Sequence, residues 1–501
     1  MSSHIYLLGI DVGTSSCKTV LFNSMGRVIC TAAVEYPTLI EKDGWAEQEP
    51  ETWWLSVSKT IGDVLKSSGV KPSDIAAVGI DSQGSAVVPL DEEFNPLGKA
   101  IIWMDRRSEP ECRWIDKNVG QDLLTKINGN KNDSSNFGPK LRWIKQKEPE
   151  RYKKTYKFSS AGGFLAHRLT DVLSFSITEG GLSQLFDIEK GVWSDELVKA
   201  FELDYEKLPE IYSPFHIIGK VTKRASKETG LLEGTPVIAG AMDATACALG
   251  CGVMGNNDTF ISGGTVTCVG VCTGRPLRNP KFHSYHHIVP GNWIHAAGVD
   301  FGGGSYRWYR DNLLSSGNFE NLSYELLDLE AEAAGVGANK LLFMPYMVGQ
   351  RTPIWDNNTR GLFFGISPAH TRKHFTRAIL EGNAYGVNFI LKLFEEMGIR
   401  AANVKLTGGC SKGHVWREIF ADVLAQNISI PTITEVTALG IAVTAGVGAG
   451  VYNSFDEALR NVKYEEVNCN SSNAEKYGKL YKVFSGLYPL LKDKLQELAD
   501  I

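Results

Sequence analysis

The sequence predicts an α/β protein built in two halves, and three observations carry that prediction. Short runs of aliphatic and β-branched residues alternate with longer helical stretches, the pattern that layers helices on a sheet. A strand–Gly-Thr–strand unit occurs twice, at Gly13-Thr14 and at Gly264-Thr265, about half the chain apart. The 501 residues exceed what one hydrophobic core usually organises, so two domains of about 250 are expected.

The elements follow in chain order. Residues 7–10 and 19–22 read as strands. The turn D-V-G-T-S-S joins them, with Gly13 at its tip, as a β-hairpin. Residues 49–65 read as a helix with Trp53 and Trp54 in its first turns, and 75–80 as a strand. The charged segment 145–157 reads as a solvated helix and loop. The run 258–274 repeats the hairpin pattern around Gly264-Thr265. A long helix over 370–397 is introduced by Ser367-Pro368. Residues 404–407 form a strand entering Gly408-Gly409, and 414–426 and 436–446 are helices, the second rich in small residues. Without a low-complexity linker, the halves are expected to pack closely across a cleft, with the boundary near 250–257.

Composition narrows the class. The net charge is −5 and no long Lys/Arg block occurs, which argues against a nucleic-acid or lipid surface. Nine scattered cysteines with no CxxC pair fit reduced thiols. The pairs Cys247/Cys251 and Cys268/Cys272 lack a neighbouring His cluster and argue little for a metal. The N-terminus has no signal-peptide pattern, and the most apolar stretch, 236–252, carries Asp243 in its middle. A cytoplasmic protein with no membrane partner is expected.

Three motifs carry chemistry. "GTSSCKT" ends like a Walker A loop, but Val12 and Cys17 stand where glycines are required, so it is not one. It reads instead as a turn whose N–H groups and Thr14 and Ser15 hydroxyls can face phosphate oxygens, glycine permitting close approach. Asp11 at the strand end is either a turn-capping group or a ligand of hydrated Mg²⁺. In "GTPVIAGAMDATACALG", Asp243 stands alone among small and apolar residues, where a carboxylate is costly unless bonded or reached by solvent. It can start a helix, accept a proton from an alcohol, or both. In "LTGGCSKGHVW", Gly408-Gly409 form either a tight turn or a surface against which a nucleotide base lies flat.

In this order and spacing the motifs resemble the FGGY carbohydrate kinases, of the superfamily that includes actin and hexokinase. "GIDVGTSSCKTVLFN" is similar to the family's first phosphate hairpin and "ISGGTVTCVGV" to its second. "GWAEQEPETWW" is similar to the segment before the first helix, "IIWMDRR" to the sugar-site segment and "GAMDATACALG" to the segment of the catalytic aspartate. "GLFFGISPAHTRKHFTRAILEG" fits the C-terminal signature, and "TGGCSKGHVW" the adenosine loop. The resemblance covers nearly the whole chain and implies two actin/hexokinase-like (ribonuclease H-like) domains flanking a cleft, residues 1–252 and 253–501.

The resemblance also implies a reaction, transfer of the γ-phosphoryl of ATP to a sugar hydroxyl, with Mg²⁺. Asp243 would be the general base and Asp11 the metal-holding residue. Gly13, Thr14, Ser15, Gly264, Thr265, Gly303, Gly408, Gly409 and Cys410 would border ATP. Gln83, Trp103, Asp105, Arg106 and Asp243 would bind the acceptor, though Trp103 could equally be a core aromatic and Arg106/Arg107 a surface pair. The layout is most similar to xylulokinases, so a ketopentose such as D-xylulose is the implied acceptor, with another pentulose, a tetritol or a related polyol as alternatives. Some positions depart from the pattern: Gly84 and Ser85 replace the Met-His of xylulokinases and the Arg-Glu of glycerol kinases, Gln350 replaces Glu, Cys410 replaces a glycine and is expected to crowd the base, and Phe137 replaces a small residue. An actin-like ATPase chaperone and an inactive sugar sensor are the competing classes; the sugar-site segment and the retained Asp11 and Asp243 argue against them. The expected partner is a small sugar, and a homodimer is compatible with the sequence.

Overall fold

A computed structural model of the chain describes residues 5–314 and 322–501. The chain divides into two compact units. One comprises Met1–Met254, Thr273–His295 and Glu435–Val462; the other comprises Gly255–Cys272, Ala296–Thr434 and Lys463–Ile501. The first unit thus takes two segments from beyond residue 254.

The first unit is built on a seven-stranded sheet. Its central strand, Tyr6–Val12, pairs antiparallel with Ser16–Asn23 and parallel with Ile75–Ser82. Val28–Glu35 extends the hairpin side; Pro236–Ile238 (parallel) and Ile217–Lys220 (antiparallel to it) extend the other. The helix Pro50–Ser68 starts on a proline, which has no N–H to lose there, and stops at Gly69 in the left-handed region. Its buried Trp53, Val57, Ile61 and Val64 form one stripe at helical spacing, packed on the hairpin strands.

The opposite face is covered by the helix Val436–Gly448, from far along the chain. Two glycines make that contact. A Cβ on Gly9 would stand 2.1 Å from the Ala438 carbonyl oxygen, and one on Gly79 2.6 Å from that of Ile441. The small residues that look like weak helix formers in sequence are therefore what lets this helix lie close on the sheet.

The second unit repeats the plan. Thr267–Thr273 is antiparallel to Asp258–Gly263, which is parallel to Ala402–Gly408. Ile428–Pro431 follows in parallel and Tyr464–Val467 antiparallel. Antiparallel, parallel, parallel, antiparallel is also the succession from Ser16–Asn23 to Ile217–Lys220 in the first unit. The two Gly-Thr turns stand at the same place in this repeat.

The long helix is Arg372–Glu396 and starts later than Ser367-Pro368 suggests. Ser367 closes a turn with His370, and Thr371 and His374 then form a reciprocal cap. Phe137 is fully buried, its ring 5.5 Å from that of Phe175, so it belongs to the core. The charged 145–157 segment ends one helix at Lys147 and forms a second, Pro149–Lys154, anchored by buried Tyr152.

Candidate active site

The first hairpin closes at the pair Val12 and Cys17, leaving Gly13, Thr14, Ser15 and Ser16 between them, with the Gly13 N–H donating to Ser16 O. Its carbonyls are all drawn inward. Gly13 O accepts from the Tyr36 hydroxyl at 2.6 Å, Thr14 O from Gln48 Nε2 at 2.6 Å and Ser15 O from Tyr36 N–H at 3.0 Å. Among the described residues, the N–H groups of Thr14 and Ser15 bond to none. Carbonyls pinned inward with N–H groups left outward make a concavity that suits an anion.

Two of the residues expected at the acceptor, Trp103 and Gln83, touch this turn. Trp103 is half-buried and its indole N–H donates to Thr14 Oγ1 at 2.9 Å. Gln83 is buried and its amide donates to Gln48 Oε1 at 2.8 Å and, more weakly, to Gly13 O at 3.4 Å. Arg106 is held by Asp133 at 2.9 Å. Asp105 corrects the sequence reading. It has no exposed surface, and both oxygens are engaged by Arg107 and the Ala46 N–H. Arg107 in turn bonds Glu47 at 2.8 Å and lies 3.5 Å above the Trp45 ring. Asp105 is therefore not free to bond a substrate hydroxyl, because its charge is spent on a buried arginine.

Asp11 and Asp81 are direct cross-strand partners. Ala241–Met242 pairs with Asp81 and Ser82 on the far side, delivering Asp243 to the same end of the sheet. Burial raises the proton affinity of all three carboxyls. Asp81, fully buried, is pushed well above the ordinary carboxylate range by burial and then by its neighbours Asp11 and Asp243. Asp243 is pushed up to about 7, chiefly by burial and then by the negative Asp11. It opens the helix Asp243–Gly250, and its Oδ1 accepts the Ala244 N–H at 2.6 Å, which partly offsets the rise. Asp243 is thus the helix start and a carboxyl whose proton is balanced near neutrality.

A divalent cation fits the Asp11 end. Asp11 is partly exposed, and the Asp81 oxygens beside it receive no N–H or protein hydroxyl. Among the described residues no three His, Cys, Asp or Glu side chains converge to hold a metal unaided. The arrangement suits a hard cation that keeps most of its waters.

In the second unit, the matching turn closes at Gly263 and Thr267. Ser262 and Thr407 occupy the places that Asp11 and Asp81 hold in the first unit, so the acidic pair is not duplicated. A Cβ on Gly303 would lie 2.1 Å from Gly264 O, and the Gly304 N–H donates to Thr265 O. Gly408, with φ near 79°, abuts Gly263. Gly264, Thr265, Gly303, Gly408 and Gly409 are therefore brought together. The Cys410 thiol is buried against Gly263 and donates to Thr407 O. Gln350 is also internal. Its amide donates to the carbonyls of Gly298 and Thr352, which a glutamate could not do.

Residues 6–250 match the N-terminal domain, and residues 259–449 the C-terminal domain, of the FGGY family of carbohydrate kinases. The chain belongs to this family. It is 30% identical to a xylulose kinase of Bacillus subtilis (strain 168), over 97% of each chain. It is 27% identical to a gluconokinase of the same strain, over 99% of this chain and 98% of that one. The crystal structure of gluconate kinase from Lactobacillus acidophilus shares its fold, with a TM-score of 0.91 at 22% identity, covering 99% of this chain and 100% of that one. This carbohydrate kinase is accordingly a sugar phosphotransferase. Membership implies ATP as co-substrate and, typically for the family, Mg²⁺. Among the described residues no helix is long and apolar enough to cross a membrane.

Several residues of the site were missed in the sequence. Asp81 had a readable signal: Gly-Ile-Asp occurs at 9–11 and again at 79–81. Met242 fills the space beside Gly84, where a Cβ would meet its sulfur at 2.6 Å. Lys140 is fully buried and donates to the carbonyls of Ser85 and Ser135, at 2.8 and 2.6 Å; burial pushes it down to about 7. Neither had a sequence signal, since both depend on contacts distant in the chain.

Proposed function

We propose that the kinase phosphorylates a hydroxyl of an uncharged sugar, most simply a ketopentose such as D-xylulose, with Asp243 as general base. The observation that carries this reading is Asp243, a half-buried carboxyl at a strand-to-helix junction, balanced near neutrality beside Asp11. ATP bound with Mg²⁺ would supply the phosphoryl group. Asp11 would hold the hydrated cation. The Thr14 and Ser15 N–H groups would bind phosphate oxygens in the first unit, with Gly13 lending close approach. Gly264, Thr265 and Gly303 would do the same in the second, and the Gly408–Cys410 backbone would border the adenosine. Such transfer needs positioning and charge stabilisation more than covalent chemistry. Trp103, Arg106 and Gln83 would orient the acceptor and Asp105 would support them from behind. The acceptor and first hairpin would belong to residues 1–252, the second hairpin and adenosine surface to 253–501.

The gluconokinase relative favours a second reading, an aldonate acceptor. Charge weighs against it. Asp11 and Asp243 gather at the site, while Arg106 and Arg107 are paired and Lys140 is spent on carbonyls. ADP production against a panel of ketoses, polyols and aldonates tests both. Turnover stimulated only by an aldonate, or independent of sugar, would overturn the ketopentose assignment.

A further inference from the structure

Glu179 is a buried carboxyl beside Asp243 to which that reading assigns no role. It lies in the short helix Ile177–Gly180 and is 3% exposed. The helix is latched to the catalytic strand: Thr178 Oγ1 accepts the N–H of Met242, the residue before Asp243, at 2.9 Å. Ser160, which caps the helix Ala161–Thr170, hydrogen-bonds the Glu179 carboxyl. Glu179 Oε1 and Ser82 Oγ crowd the same bare glycine, 3.5 and 3.0 Å from where a Cβ on Gly162 would be. Glu179 Oε2 and Ser82 Oγ are buried and unpartnered. A purely structural position would not ordinarily retain unsatisfied polar atoms.

The surroundings keep this carboxyl neutral. Burial, and secondarily the negative Asp243, push it up to about 8. The strands Phe175–Ser176, Val192–Trp193 and Ala241–Met242 and the turn Gly181–Ser183, all packed on its helix, carry no titratable group. The strand His283–His286 packs there too. Its His286 is turned to Phe186 and Trp293, and burial pushes it down to about 4, so it brings no charge at neutral pH.

We propose that Glu179 is a positioning residue of the kinase reaction: its buried carboxyl, on the helix latched to Met242 and backed by Ser82, controls the charge on that flank of Asp243. With Glu179 neutral, Asp243 carries the negative charge that takes the acceptor's proton without a competing anion behind it. This rests on Asp243 being the base. Ionising Glu179 places a second negative charge beside the proton-accepting group and weakens a transition state that already gathers anionic oxygens.

The test reads Asp243 directly. Carboxyl ¹³C NMR of aspartate-labelled protein, with Asp243→Asn assigning the resonance, is followed against pH in the wild type and in Glu179→Gln. The wild-type Asp243 signal is expected to titrate near neutrality and to shift again as Glu179 ionises near pH 8; the second shift disappears in Glu179→Gln. In turnover, the kcat of Glu179→Gln relative to wild type is expected to rise about tenfold between about pH 7 and about pH 9. Should Glu179→Gln lose its native circular dichroism, Ser160→Ala replaces it. Removing a hydrogen bond that favours the ionised form moves the second inflection upward. Superimposable Asp243 titrations, or a kcat ratio flat across that range, overturn the proposal. The NMR arm needs no substrate, so a chain that phosphorylates no acceptor would defeat the kinase reading and still leave Glu179 decided.

Discussion

A carboxyl that gives up its proton near neutrality can serve as a base only above that point. The kcat of the kinase is therefore expected to fall as pH drops through about 7, following Asp243; an acid limb lying instead near the ordinary carboxylate range would contradict the assignment. Asp243→Ala is expected to lose about 10²–10⁴-fold in kcat, checked with circular dichroism to show an intact fold. Stability moves the other way. A raised folded-state pKa means the folded protein holds the extra proton between the ordinary value and about 7, so stability declines as pH rises through that window. Asp243→Asn should thus gain in Tm, by about 2–4 °C at pH 8 and by little at pH 4. Asp81→Ala removes the cross-strand neighbour of Asp11 and should weaken Mg²⁺ binding by about 10–100-fold, read from Mg²⁺ titrations of protein thermal stability with nucleotide present. Asp11 and Asp243 were legible because each is a lone carboxylate at the end of an apolar run. Asp105 was misplaced because a sequence shows a charge but not the Arg107 that consumes it.

At the level of the element, hairpins and helices were legible where a local rule decides them. Apolar runs broken by Gly-Thr gave both hairpins, and Pro50 and Gly69 bracket the first helix. The end of the long helix nearest Ser367-Pro368 was not legible, because the Thr371–His374 cap competes with an earlier start. The closeness of Val436–Gly448 to the sheet was not legible either, since it depends on glycines 9 and 79, more than 350 residues away in sequence. That contact yields a stability prediction. Gly79→Ala forces a methyl against the Ile441 carbonyl and should cost about 1–3 kcal/mol, seen as a lower urea midpoint with unchanged slope. A midpoint equal to wild type would show that the helix yields at no cost.

For the whole molecule, the repeat of strand succession was hinted at by two Gly-Thr turns and is complete in the topology, yet the chemistry is not repeated. One unit carries Asp11 and Asp81 where the other carries Ser262 and Thr407. Which segments join which unit was the least legible property, because long-range membership leaves no local mark. The first unit includes Glu435–Val462. A fragment ending at Met254 is accordingly expected to lack a cooperative thermal transition, whereas the full chain shows one. The same membership bears on how the protein is made. The helix that seals one face of the first sheet is translated 182 residues after Met254, the difference between 436 and 254. At the usual pace of ribosomes this is a wait of roughly 9–36 s. Throughout it the nascent sheet shows water the apolar face around Gly9 and Gly79, so a holdase that shields unfinished chains has its natural target there, on the part of the enzyme that is begun first and waits longest for its closing helix.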